Sequence, residues 1–230
     1  MPDVIERALD AALAGGSGHI GEIAIRSFGR QYFLNHRDDH ARTDLRIFES
    51  AEDAIQIAKF DDAEKYRPLK TAPNLRHGWR LEVATIEELR RALEYFYPGR
   101  PAAFAAWQNG LLSTTTLRET LDRQSGMYKV AARISDDQIN DLVGHFCRSD
   151  GGCLRTILWQ RDALGSVAST KLPPVKFDPD YDQTRALGRQ GSPPAGATAM
   201  LPLLCQEACN LLVSECRKVV RGRDVSPKRL

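Results

Sequence analysis

The first 146 residues of this chain contain no cysteine; all five lie between Cys147 and Cys216. That gap excludes a disulfide framework spread over the whole molecule and confines thiol chemistry to the later part of the chain. No apolar run approaches the length of a membrane span, which argues for a soluble protein with no membrane partner. Neither sign of charge is in excess, with 32 basic residues against 30 acidic ones, so nothing electrostatic points to nucleic acid or an anionic membrane. The N-terminus has neither the basic n-region nor the apolar h-region of a secretory signal, so a cytoplasmic location is expected. Thiols stay reduced there, and paired cysteines serve metal or redox chemistry more often than disulfides.

The cysteines that are present form two local pairs, Cys147-Arg-Ser-Asp-Gly-Gly-Cys153 and Cys205-Gln-Glu-Ala-Cys209, with Cys216 one heptad further on. Four thiols in two pairs can close on one centre, which could be an iron–sulfur cluster, a zinc ion or two disulfides. Asp150-Gly151-Gly152 allows a tight turn with amides free to point at sulfur. Pro202 fits the first turn of a helix, which would carry Cys205, Cys209, Leu212 and Cys216 along one face. The positive end of such a helix suits an anionic four-thiolate cluster, and Arg148 and Arg155 could offset the same charge. Structural zinc sites typically space paired ligands two to four residues apart on turns. The five-residue gap of the first pair and the helical setting of the second lean toward the cluster, with zinc as the alternative. His145, two residues before Cys147, is a candidate for a supporting contact or for a packed helix position.

Around this centre the chain reads as α+β: a mixed strand and helix domain over 1–98, then a mainly helical cluster domain over 101–230. Residues 3–14 put Val4, Ile5, Ala8, Leu9, Ala12 and Leu13 on one helical face. Glu22–Arg26 and Gln31–Asn35 read as a hairpin, with Gly18-His19-Ile20-Gly21 as a turn at its entrance. His36 and His40 stand four apart, the spacing of two metal ligands on a helix, but their polar surroundings favour a solvated connection. Asp44–Phe48 and Trp79–Val83 read as strands. Ser50 to Asp53 and Thr85 to Glu88 are capping-box signatures for two helices, the first reaching Lys59 and the second carrying Leu89, Leu93 and Phe96 inward. Residues 61–74 form an irregular connection, and Pro98-Gly99-Arg100-Pro101 marks the expected domain boundary. Beyond it come helices over 102–112 and 117–123, a strand over 126–132, a helix from Ser135 that delivers Cys147, and an apolar strand from Cys153 to Trp159. Residues 165–200 are rich in proline and glycine with no period; a loop that long is functional or unpacked. The basic tail from Arg221 is expected to fray.

The segments Leu117-Arg-Glu-Thr-Leu-Asp-Arg-Gln-Ser-Gly-Met-Tyr128, Cys147-x5-Cys153-Leu-Arg and Pro202-Leu-Leu-Cys205-Gln-Glu-Ala-Cys209-Asn-Leu-Leu212 together resemble a known family. It is the [4Fe–4S] cluster-binding domain that, with a companion stabilising domain, follows CbiX-type sirohydrochlorin cobalt chelatase modules in some bacterial proteins. The resemblance covers most of the chain, with the stabilising part before Pro98. It implies that Cys147, Cys153, Cys205 and Cys209 ligate a [4Fe–4S] cluster, while Cys216 has no counterpart and reads as a small core residue. The chain starts directly in the stabilising part, so the metal-insertion histidines of the chelatase modules map onto no residue here and no catalytic residue is assigned. The resemblance therefore implies a cluster-binding accessory protein whose partner is a separately encoded CbiX-type chelatase of cobalamin or sirohaem synthesis. A redox enzyme or electron carrier using the cluster is the alternative, and a zinc-stabilised interaction domain a weaker one.

Overall fold

A computed structural model of the chain describes residues 3–148, 153–159 and 198–222. The Asp150-Gly151-Gly152 turn, nearly all of the 165–200 loop and the tail beyond Gly222 lie outside the described residues. The chain divides into two compact units, Met1–Leu112 with Ala186–Leu203, and Ser113–Arg185 with Leu204–Leu230.

The first unit is a six-stranded sheet with helices packed beside it. Its strands are β1 (Ser17–Ile20), β2 (Ile23–Phe28), β3 (Gln31–His36), β4 (Arg46–Phe48), β5 (Trp79–Val83) and β7 (Ala199–Leu201), in the order β4-β5-β3-β2-β1-β7. The four central strands pair antiparallel, while β4 and β7 add parallel edges. Register places Ile25 opposite Leu34 and Leu34 opposite Leu81, so a row of fully buried side chains crosses the sheet. The helices are α1 (Val4–Ala12), α2 (Asp53–Lys59), α3 (Ile86–Phe96) and α4 (Arg100–Gln108). α3 starts where expected, with both halves of the Thr85–Glu88 capping box formed. The box expected at α2 is half formed: the Ser50 amide donates to Asp53 Oδ2 at 3.3 Å, but the Ser50 hydroxyl takes the Glu52 amide at 3.3 Å, and the helix opens at Asp53 with no side-chain cap. The Pro98–Pro101 break supplies Gly99 in a left-handed conformation and proline in the first turn of α4, which packs on α1 and α3 within this unit.

One expected turn is a strand. Residues 17–20 hydrogen-bond as β1 between β2 and β7, and only the Gly21 end turns. Gly21 has φ +55°, and a Cβ there would lie 2.6 Å from the Tyr97 hydroxyl oxygen. Glycine is therefore required at this point, for conformation and for space.

The irregular 61–74 connection is organised by a buried cation. Arg67 is 1% exposed. Its guanidinium donates to Asn74 Oδ1 (2.8 Å), to the Ala58 carbonyl (3.2 Å) and to the Lys70 and Ala72 carbonyls (3.0 Å each). It also stands 3.8 Å from the buried Glu22 carboxylate, which accepts the Leu75 amide at 2.9 Å. The segment needs no regular structure because one side chain satisfies its carbonyls.

The second unit contains α5 (Leu117–Asp122), a 3-10 helix over Gly126–Arg133, α6 (Asp136–Val143), a π-helical turn over Gly144–Arg148, β6 (Thr156–Ile157), β8 (Leu204–Cys205) and α7 (Asn210–Val220). The strand expected over 126–132 is this 3-10 helix: Met127 and Tyr128 are exposed, Ala131 is its buried residue, and α7 packs on it. Arg118 fixes its exit by donating to the Ala132 and Ile134 carbonyls (3.0 Å each) and pairing with Asp136. The apolar strand expected over 153–159 is shorter, confined to Thr156–Ile157.

The helix expected from Pro202 is not there. Residues 201–205 are buried throughout, β7 ends at Leu201, β8 occupies Leu204–Cys205, and α7 begins only at Asn210. A short, continuously buried apolar run has no period that separates strand from helix. Cys205 is consequently a strand residue and Cys209 the N-cap of α7.

The burial of Arg67 carries a test. Arg67→Ala orphans several carbonyls and leaves Glu22 without its cation, so it should cost about 3 kcal/mol in urea unfolding. Arg80→Ala, which breaks the half-exposed Arg80–Glu82 pair, should change stability by less than about 0.5 kcal/mol. Equal losses for the two variants would contradict this account of the connection.

Candidate metal centre

Cys147, Cys153, Cys205 and Cys209 line one cavity, together with Arg155 and the apolar walls Ile157, Trp159 and Leu212. None of the five cysteines is disulfide-bonded, and Cys147, Cys153 and Cys205 are buried. Three of them arrive by different local devices. α6 starts after Ser135 as expected, where a Ser135–Gln138 capping box is formed, and its apolar face, Ile139, Leu142 and Val143, is buried. The helix then widens into the π-turn that holds Cys147; such widened turns recur at functional sites. Cys205 is held by the β6–β8 ladder, where it pairs with Ile157 and its carbonyl accepts the Leu158 amide at 2.9 Å. Cys209 occupies the N-cap of α7 in an extended conformation, and its side chain makes no capping bond.

The electrostatics of the cavity suit a bound anion. Arg155 Nη1 lies 4.0 Å from Cys205 Sγ. Burial works against the charge on Arg155, but the sulfurs of Cys205, Cys153 and Cys209 outweigh it, so its pKa moves upward. Burial pushes the Cys205 thiol up to about 11, although Arg155 pulls it back. At neutral pH that thiol keeps its proton and directs it to the Glu207 carbonyl at 3.2 Å. A metal group must displace this proton, so loading the cavity releases acid. The first-turn amides of α7 have no partners within the helix and sit at its positive end, next to Cys209. The Trp159 indole N–H is buried without an acceptor among the described residues. An orphaned donor in the wall of a thiol-lined cavity matches a group that brings sulfide or thiolate acceptors. The residues present therefore fit an iron–sulfur cluster.

Cys216 stands apart. It is fully buried in the core of this unit, with Leu142, Val143 and Leu212 in the same cluster, and does not line the cavity. It lies seven residues along α7 from Cys209, about 10 Å at the helical rise. Burial raises its thiol to about 12. His145 does not line the cavity: its ring is exposed and lies 3.3 Å from Asp141, which does not fit a packed histidine. The Arg148 side chain lies outside the described residues. Trp159 was expected only as the end of an apolar strand, and its orphaned N–H has no signature in sequence.

With this geometry in hand, comparison with known proteins is decisive for the family. Residues 5–110 match the family model of the DR2241 stabilising domain, and residues 109–218 match that of the 4Fe–4S iron–sulfur cluster-binding domain. The chain is a stabilising domain followed by a 4Fe–4S cluster-binding domain. This match supports an iron–sulfur cluster and not the zinc ion that spacing left open. Among solved structures the chain is similar to DR2241 from Deinococcus radiodurans, a multi-domain protein with structural similarity to chelatases and two additional novel domains. The identity is 26%, the TM-score 0.68, and the match covers 95% of this chain and 42% of that one. The chain thus spans less than half the length of that protein. A comparison with curated proteins finds no match. No helix among the described residues is long and apolar enough to cross a membrane.

The cap position of Cys209 separates its place in the fold from any role toward a metal. Serine is a better N-cap than cysteine, so Cys209→Ser should leave the metal-free protein as stable as the parent or up to about 1 kcal/mol more stable. Thermal unfolding of metal-free protein measures this. A clear loss of stability would mean that the Cys209 sulfur supports the fold through packing.

Proposed function

We propose that this chain is a non-catalytic iron–sulfur accessory protein that carries one [4Fe–4S] cluster and serves a CbiX-type chelatase of tetrapyrrole metabolism. The observation that carries the reading is the convergence of four cysteines, from two distant sequence pairs, on one cavity of the cluster-binding domain. In this reading Cys147, Cys153, Cys205 and Cys209 are the ligands. Arg155 offsets the charge of the thiolates, the Trp159 N–H and the first-turn amides of α7 donate toward sulfur, and Ile157 and Leu212 keep water from one side. A bound cluster would cross-link the segments that carry the cysteines and supply one-electron capacity. The association with a chelatase rests on the likeness to a multi-domain protein that is itself similar to chelatases.

Two measurements test the two halves of the reading. Replacement of any of the four cavity cysteines by alanine should abolish or strongly reduce iron and sulfide content after anaerobic reconstitution. Cys216→Ala should keep both at the parent level, with only a packing loss of about 1 kcal/mol. Iron lost from Cys216→Ala but retained by one of the other four would overturn the ligand assignment. Pull-down from native extract should recover a CbiX-type chelatase, and recovery of no such enzyme would count against the accessory role while leaving the cluster in place.

A further inference from the structure

A second group of side chains in the first unit is arranged as metal ligands. One ligand atom from each of His36, Asp38 and His77 lies within 4.8 Å of the other two. His36 is the last residue of β3, Asp38 lies in the 3-10 turn Arg37–Asp39 that follows, and His77 lies two residues before β5. β3 and β5 are antiparallel neighbours, so the end of one lies beside the start of the other, next to the turn that carries Asp38. The spacing that draws attention in the sequence, His36 and His40, is not the pair that meets: His40 is exposed and outside the group.

Both imidazoles are oriented by carboxylates. The Asp38 amide donates to His36 Nδ1 at 3.2 Å, which places the ring proton on Nε2, 3.5 Å from Glu22 Oε1; a cation at Nδ1 takes that lone pair in place of the amide. His77 Nδ1 lies 2.6 Å from Asp62 Oδ2, and Asp62 also accepts the His77 backbone amide at 2.7 Å. That commits the Nδ1 proton of His77 and leaves Nε2 with the lone pair. The ring centroids are 3.8 Å apart. The Asp38 carboxylate stands 3.8 Å from His36 Nδ1 and 3.8 Å from Arg37 Nε, a loose ion pair that a cation at the site would replace. Histidines that bind metals characteristically direct the other ring N–H at a carboxylate, which fixes tautomer and orientation. Here two rings are held in that way beside the exposed Asp38 carboxylate.

We propose that His36, Asp38 and His77 bind a borderline divalent transition-metal cation of the class of Zn²⁺ and Co²⁺. Two imidazoles and a carboxylate favour such ions over Mg²⁺ or Ca²⁺, which take all-oxygen sets. Three protein ligands leave a fourth position for water or a small ligand. The side chains of Asp38 and His77 are 68% and 38% exposed, which keeps that side of the site open. The site is built without any cysteine and stands independently of the proposed cluster function.

The test is equilibrium dialysis of the full-length, metal-free chain against Co²⁺ alone, with absorption spectra of the bound ion. The parent protein should bind one more Co²⁺ than Asp38→Asn or His77→Ala, or bind that ion at least about tenfold more tightly. The extra ion should show no sulfur-to-cobalt charge transfer. His40→Ala should behave as the parent. Asp38 is exposed, so Asp38→Asn decides the matter even if His77→Ala folds poorly; far-UV circular dichroism checks both. Unchanged Co²⁺ stoichiometry and affinity in Asp38→Asn would overturn the site, as would an extra ion whose spectrum is that of a thiolate complex.

Discussion

Burial of sulfur is the constraint on which the second unit depends. Three of its cavity thiols are less than a tenth exposed, and an isolated buried thiolate would be costly. As neutral thiols they pack with Ile157 and Leu212 as small apolar groups. As thiolates they require compensation close at hand, and three sources converge on them: the Arg155 guanidinium, the Trp159 N–H and the positive end of α7. These come from separate stretches of chain, brought together by the π-turn after α6 and the two-residue β6–β8 ladder. The same cavity can therefore stay closed without a metal and become favourable to an anion once the protons leave. Metal binding then adds directly to the stability of the fold.

The first unit handles buried charge differently. Arg67 and Glu22 satisfy carbonyls and an amide of an irregular connection, turning a segment without regular structure into part of the core. Glu22 also faces the ring of His36, and its backbone amide donates to the Tyr97 hydroxyl at 3.0 Å. One residue, Glu22, thus links the connection, the end of β3 and the C-cap of α3. The least regular segment of this unit is thus tied into its core by buried charged hydrogen bonds.

Much of this architecture is legible in the sequence where a local signal acts alone. The Thr85 capping box, the helix start at Ser135 and the strand pattern of Trp79–Val83 each specify their element without help from distant residues. The segments that mislead are those decided by tertiary neighbours. Residues 201–205 are apolar on every side and carry no period, so nothing local tells β8 from a helix. β1 is a strand because β2 and β7 flank it, and β7 lies some 180 residues away in sequence. The four cavity cysteines are visible from their pairing, whereas the helix assigned to carry Cys205 is wrong and Cys209 meets the positive end of α7 as its cap. The orphaned indole of Trp159 and the meeting of His36 with His77 are visible only in three dimensions, because no spacing rule relates the residues involved.

The most direct test of the central claim is native mass spectrometry of the full chain, purified and reconstituted without oxygen. A cavity of four thiols holding a cubane predicts one added mass of four irons and four sulfides per chain, retained by Cys216→Ala and absent when Cys147, Cys153, Cys205 or Cys209 is replaced. A mass increase of a single zinc ion lost with the same four cysteines, or of no metal at all, would contradict it.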